Sequence, residues 1–223
     1  MLQRTDGTWW SICQATSTDG KHFERVLDSH GKCPIFWEEG RQGDGGEGGN
    51  TRDPMLFAIP AAPGVYNFRV VYSSFPHMDG RSSDGVWSRT LSLVGELHSG
   101  SNASETLTSW EAWSQTRGAL VGYGGSAGEG GSASECPFVY YHAPSGYYYL
   151  FRTQRYTPNG GQTSVYASRD PSNFGVGDAS DGYLVARLPF CAPELVELED
   201  DRLLVVALDA ELHGFRVAEL KFA

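Results

Sequence analysis

Residues 137–151 read Pro-Phe-Val-Tyr-Tyr-His-Ala-Pro-Ser-Gly-Tyr-Tyr-Tyr-Leu-Phe. Two runs of aromatic and β-branched residues flank a turn centred on Gly146, which predicts a β-hairpin. Its first strand opens at Pro137, a position where a missing N–H costs little. The same unit occurs twice more. Pro54 opens Met55-Leu56-Phe57, followed by a turn at Gly64 and the run Val65 to Val71. Pro193 opens Glu194-Leu195-Val196, followed by an acidic turn at Asp200-Asp201 and the run Arg202 to Val206.

Outward from these hairpins, helical periodicity is nearly absent. Strands are predicted over Thr8–Ala15, Met55–Ile59, Val65–Ser73, Val86–Val94, Ala119–Tyr123, Phe138–His142, Tyr147–Thr153, Thr163–Ser168, Tyr183–Leu188, Leu203–Leu208 and Phe215–Leu220. Gly-rich stretches at 40–50 and 122–134 cannot pack side chains and read as loops. A second repeat, Ser-x-Asp-(Gly/Pro)-x-x-Phe, stands at Ser17–Phe23 and again 151 residues later at Ser168–Phe174. Strand-only repeats of roughly 40–50 residues predict a β-propeller. In that architecture the first strand of each blade lines the central channel, so equivalent strand heads converge on one pocket.

Composition narrows the function. The chain has 223 residues, 17 Lys and Arg against 27 Asp and Glu, and a net charge of −10. An anionic chain lacks the clustered cations that a nucleic-acid groove or an anionic membrane surface requires, so neither partner is expected. Aromatics at 13% with charged residues at only 20% describe a chain that folds and suits a neutral ligand. No run approaches the ~20 apolar residues of a membrane span. The residues after Met1 turn polar at once and carry no signal-peptide pattern, so the chain reads as cytoplasmic by default unless the true start lies upstream. Cys13, Cys33, Cys136 and Cys191 form no Cys-x-x-Cys pair, and the six histidines show no ligand spacing. No metal or cofactor is expected, and the cysteines read as small buried residues.

Two carboxylates stand at the heads of these hairpins. Asp53 immediately precedes Pro54, and Glu135 lies two residues before Pro137. Paired carboxyls across a cleft suit glycosidic cleavage, one protonating the leaving oxygen while another attacks or stabilises the cationic centre. Equally, strand-head acids of this kind cap turns. Thr51-Arg52-Asp53-Pro54 before an apolar strand resembles the Arg-Asp-Pro motif of glycoside hydrolase family 32, the β-fructosidases and invertases. Ser134-Glu135-Cys136-Pro137 resembles that family's Glu-Cys motif, and Ser17–Phe23 resembles the segment that precedes its Arg-Asp-Pro. The related family 43 shares a five-bladed propeller, and Glu-Cys favours family 32 over it. The resemblance implies that Glu135 is the general acid and base and that Asp53 stabilises the transition state. It further implies that Arg52 assists Asp53 and that Cys136 shapes the surroundings of Glu135. Arg169-Asp170-Pro171 belongs to the second repeat and runs into a Ser-Asn turn, so Asp170 is set aside.

The family's nucleophile, an aspartate in an Asn-Asp-Pro-Asn-Gly-like motif of the first blade, has no counterpart here. Asp6 and Asp19 sit in Asp-Gly turns and substitute poorly. Residues 1–223 therefore read as a single propeller domain, N-terminally short, with about four blades of a five-bladed type. The expected ligand is a carbohydrate. A chain that reads as one blade short is either truncated upstream or given a misplaced start, or is completed by another chain or by a second copy. A non-catalytic propeller that binds carbohydrate or protein is the alternative. Glu194, just after Pro193, is a further candidate for contact with a sugar hydroxyl. Tyr148 is expected to point opposite to Tyr147 and Tyr149 and to pack inward, and the six tryptophans are expected to pack between blades.

Overall fold

The computed structural model describes residues 2–3, 10–27, 31, 34–36, 52–62, 65–74, 85–90, 118–119, 135–155, 161–175, 182–209, 211 and 213–222. These form β-strands and turns, with no α-helix among the described residues. Near the N-terminus, β1 (Leu2–Gln3) pairs with β2 (Trp10–Cys13), β3 (Ala15–Thr16) with β4 (Glu24–Arg25), and β5 (Pro34–Phe36) returns to β2. Three antiparallel meanders follow. The first runs β6 (Arg52–Ala62), β7 (Val65–Ser74), β8 (Gly85–Thr90) and β9 (Gly118–Ala119). The second runs β10 (Glu135–His142), β11 (Tyr147–Arg155), β12 (Gln162–Ser168) and β13 (Leu184–Leu188). The third runs β14 (Phe190–Glu197), β15 (Leu203–Asp209) and β16 (Phe215–Leu220).

Each predicted hairpin is the start of one meander. The first strands adjoin in order, with β10 packed against β6 on one side and β14 on the other. Sequential antiparallel sheets meeting through their first strands are the arrangement of propeller blades. The core lies where the first two meanders face each other: Phe57 and Val71 from one, Val139, Tyr148, Leu150 and Tyr166 from the other, with Phe174 beside them. This position explains β12, which is buried along almost its whole length, whereas β10 alternates as a strand covered on one face does.

Local chemistry explains the turns. Gly146 adopts φ 68°, a value an L-residue takes only with strain, and its N–H donates to His142 O at 3.0 Å. Asp201, at φ 62°, closes the acidic turn, where Leu198 N donates to Arg202 O at 2.9 Å. The Ser-x-Asp repeat does the same work at both of its sites. Asp19 Oδ1 accepts the Lys21 and His22 N–H groups at 2.8 Å each, and Asp170 Oδ1 accepts the Ser172 N–H at 2.8 Å. These side-chain turns hold both carboxyls below the ordinary aspartate range. The repeats diverge at their last residue: Phe174 is buried in the core, and Phe23 is exposed.

Tyr148 packs inward as the alternation predicted. Tyr147 lies under the Arg169 guanidinium, and Tyr149 meets the Phe222 ring at 4.5 Å between centroids. Of the cysteines expected to be buried, Cys191 is, while Cys13 and Cys136 are half-buried. Cys33, Asp6, both Gly-rich stretches, the turn at Gly64 and the tryptophan side chains lie outside the described residues.

Candidate active site

The three inner strands share one local deformation. Pairing of β6 with β7 skips between Arg52 and Met55, that of β10 with β11 between Glu135 and Phe138, and that of β14 with β15 between Cys191 and Glu194. Each skip is a β-bulge with proline at its centre, the place where a sheet tolerates a residue without an N–H. The residue before each proline is left-handed although none is glycine: Asp53 at φ 54°, Cys136 at φ 48° and Ala192 at φ 47°. Such a backbone costs on the order of 1–3 kcal/mol per residue and persists only where its surroundings enforce it.

The bulges also establish which positions correspond. Asp53, Cys136 and Ala192 are equivalent, as are Arg52, Glu135 and Cys191. The two acids read from the sequence as matched strand heads are therefore one position apart. Because successive strand residues face opposite ways, this offset separates their environments. Asp53 lines a cavity of about 170 Å³ together with Pro54, Met55, Cys136, Pro137, Ala192 and Glu194. Glu135, equivalent to Arg52, turns to it instead: Arg52 Nη2 donates to Glu135 Oε1. Arg52 Nε also stands 3.6 Å from Asp53 Oδ2, so one guanidinium joins both carboxylates. Asp53 Oδ2 additionally accepts the Cys136 N–H at 3.1 Å, which ties the first meander to the second.

Glu194 reaches the cavity although it follows its proline. It stands just past the Cys191–Glu194 bulge, as Met55 stands just past the Arg52–Met55 bulge, and both line the cavity. Desolvation at the cavity wall pushes its carboxyl above the ordinary glutamate range. Cys191, behind the wall, is buried, and the same effect raises its thiol. Arg52 thus has a role that the sequence resemblance only partly implied, since it holds Glu135 as well as Asp53. The left-handed bulges carried little sequence signal, because Cys136 and Ala192 are residue types that rarely adopt that backbone. Among the described residues, no group of three or more His, Cys, Asp or Glu is placed to hold a metal ion.

No family model and no curated protein matches the sequence. Solved structures do. The fold is similar to that of an endo-1,4-β-xylanase from Bacteroides thetaiotaomicron, with a TM-score of 0.58 and 15% identity, covering 96% of this chain and 64% of that one. It is also similar to the glycoside hydrolase family 43 YxiA protein from Bacillus licheniformis, with a TM-score of 0.53 and 15% identity, covering 93% of this chain and 50% of that one. The chain spans half to two thirds of the length of these proteins. At this identity the likeness is one of fold: the chain has the all-β architecture of these glycoside hydrolases. Of the two families that the motifs resemble, family 43 is represented among these neighbours.

Proposed function

We propose that the chain is a glycosidase-like propeller acting on O-glycosidic bonds of oligo- or polysaccharides, at the heads of its inner strands, where Asp53 belongs both to the cavity and to the Arg52 bridge that holds Glu135. The observation that carries this reading is the Arg52 bridge. Carboxylates from two neighbouring meanders, far apart in sequence, meet on one guanidinium at the edge of a cavity. In this reading Glu135 is the general acid and base and protonates the leaving oxygen. Asp53 stabilises the positive charge that develops at the anomeric carbon, and Arg52 orients both. Cys136 forms the floor next to Glu135, and Glu194 holds a sugar hydroxyl from the third meander. The motifs make a β-fructoside the first substrate to try, and the xylanase neighbour adds xylan.

The test is sugar release by the purified chain from sucrose, inulin, levan, xylan, arabinan and aryl-glycosides, beside Glu135→Gln. Release that Glu135→Gln abolishes without unfolding supports the reading, and turnover unchanged in that variant rejects the assignment of Glu135. A second reading, a sugar-binding propeller without turnover, is favoured by the absence of the family's Asn-Asp-Pro-Asn-Gly-like nucleophile motif. It requires binding of one of these glycans with no release. Completion of the propeller by a second copy or another chain belongs to either reading, and a strictly monomeric active species would reject it.

A further inference from the structure

The strained bulge residues need something to hold them, and the structure supplies it differently at its two junctions. Where the second meander meets the third, Ala192 N donates to Thr153 Oγ1 at 2.7 Å. Thr163, the cross-strand partner of Thr153, donates from Oγ1 to Phe190 O at 2.7 Å. Phe190 and Ala192 are two residues apart, so these backbone groups project from the same edge of β14. Both threonines are fully buried. Where the first meander meets the second, the residues in the places of this pair are Ser73 and Val86. Valine has no hydroxyl, and the buried Ser73 Oγ makes no hydrogen bond. Here the bulge N–H, that of Cys136, is taken by Asp53 Oδ2 instead.

We propose that Thr153 is a positioning residue of the cavity: by accepting the Ala192 N–H it fixes the bulge that turns Glu194 into the cavity wall. Asp53 does the same for the Cys136 bulge from the preceding meander, in addition to facing the cavity itself. Thr153 is also the direct cross-strand partner of Glu135. It therefore sits between the two glutamates of the site and links the placement of one to the other. The strut belongs to the cavity's geometry and stands whether or not the chain cleaves glycosides.

The experiment is amide hydrogen exchange, resolved by residue in the intact chain, for wild type, Thr153→Val, Thr153→Ser and Asp53→Ala. Valine keeps the shape of threonine and removes the acceptor, while serine restores it. In wild type the Ala192 N–H must be protected, and an unprotected one overturns the proposal without any variant. In Thr153→Val its exchange should accelerate about tenfold or more, with Cys136 unchanged. Thr153→Ser should return protection to near the wild-type level. Asp53→Ala should give the converse pattern, with Cys136 accelerated and Ala192 unchanged. Equal acceleration of both amides in Thr153→Val would mean general loosening and overturn the specific role, as would no acceleration of Ala192.

Discussion

Replacing Arg52 by methionine keeps the length of the side chain and removes the charge that joins Asp53 to Glu135. The Arg52 side chain is only 12% exposed, and those of Asp53 and Glu135 are 23% and 26% exposed, so water replaces the lost partner poorly. A hydrogen bond to a charged group contributes about 1.5–3 kcal/mol, and deletion of one partner leaves the other partly buried without compensation. The Glu135 contact is a direct hydrogen bond, and the Asp53 contact at 3.6 Å adds a weaker Coulombic share. Together they give an expected loss of roughly 2–3 kcal/mol, the low end of the buried range because both acids retain some water. At about 2–4 °C per kcal/mol for a chain of this size, Tm should fall by roughly 5–10 °C in thermal unfolding followed by circular dichroism. A double-mutant cycle with Glu135→Gln should return a coupling of about 1–2 kcal/mol. A loss below about 0.5 kcal/mol, or strictly additive variants, would refute the bridge as the element that holds the two carboxylates together.

Further outcomes follow from the same geometry. Ala192→Gly should change stability by less than about 1 kcal/mol, because relief of the left-handed backbone is opposed by a more flexible unfolded chain; Ala192→Val should lower it by about 1–2 kcal/mol. Denaturant titration of the pair measures both. Glu194 is raised by desolvation, so its burial is harmless below the ordinary glutamate range and costs stability as pH rises through its folded value. The stability of Glu194→Gln relative to wild type should accordingly grow as pH rises above the ordinary glutamate range in urea melts; a constant difference would contradict the shielding. Asp170→Ala should lose about 1 kcal/mol near neutral pH, as capped turns do. The Asp170 carboxyl is lowered chiefly by the Ser172 hydroxyl and amide, so this contribution is present above the ordinary aspartate range. The gap between Asp170→Ala and wild type should close as pH falls through the lowered value.

Much of this architecture was legible in the sequence because hairpins announce themselves locally. The turns at Gly146 and Asp200-Asp201 and the alternation around Tyr148 are short-range signals, and each appears where it was read; the prolines read as strand heads lie two or three residues inside their strands, at the bulges. Asp170 was set aside for its turn context, and it caps a turn. Asp53 and Glu135 were singled out together, and Arg52 joins them. The offset between them was not legible, because register depends on bulges formed at Asp53, Cys136 and Ala192, and of these only aspartate is a residue type that favours the left-handed region. Glu194 was read as a candidate sugar contact whose side the proline left open, and it lines the cavity. The short strands β1, β3, β4 and β5 span two or three residues, too few for periodicity to register. Nothing in the sequence singles out Thr153 or Thr163, since their contacts are with β14 and only the packing of meanders creates them.

The central claim is that the cavity at the strand heads receives a carbohydrate. Its most direct test is a titration of the isotope-labelled chain with xylo-, arabino- and fructo-oligosaccharides, following backbone amide shifts. The account expects one of these series to shift residues 53–55, 135–136 and 192–194 together, with saturation, and to leave the exposed strand β16 unmoved. Shifts confined to other surfaces, or none with any of the three series, would contradict it.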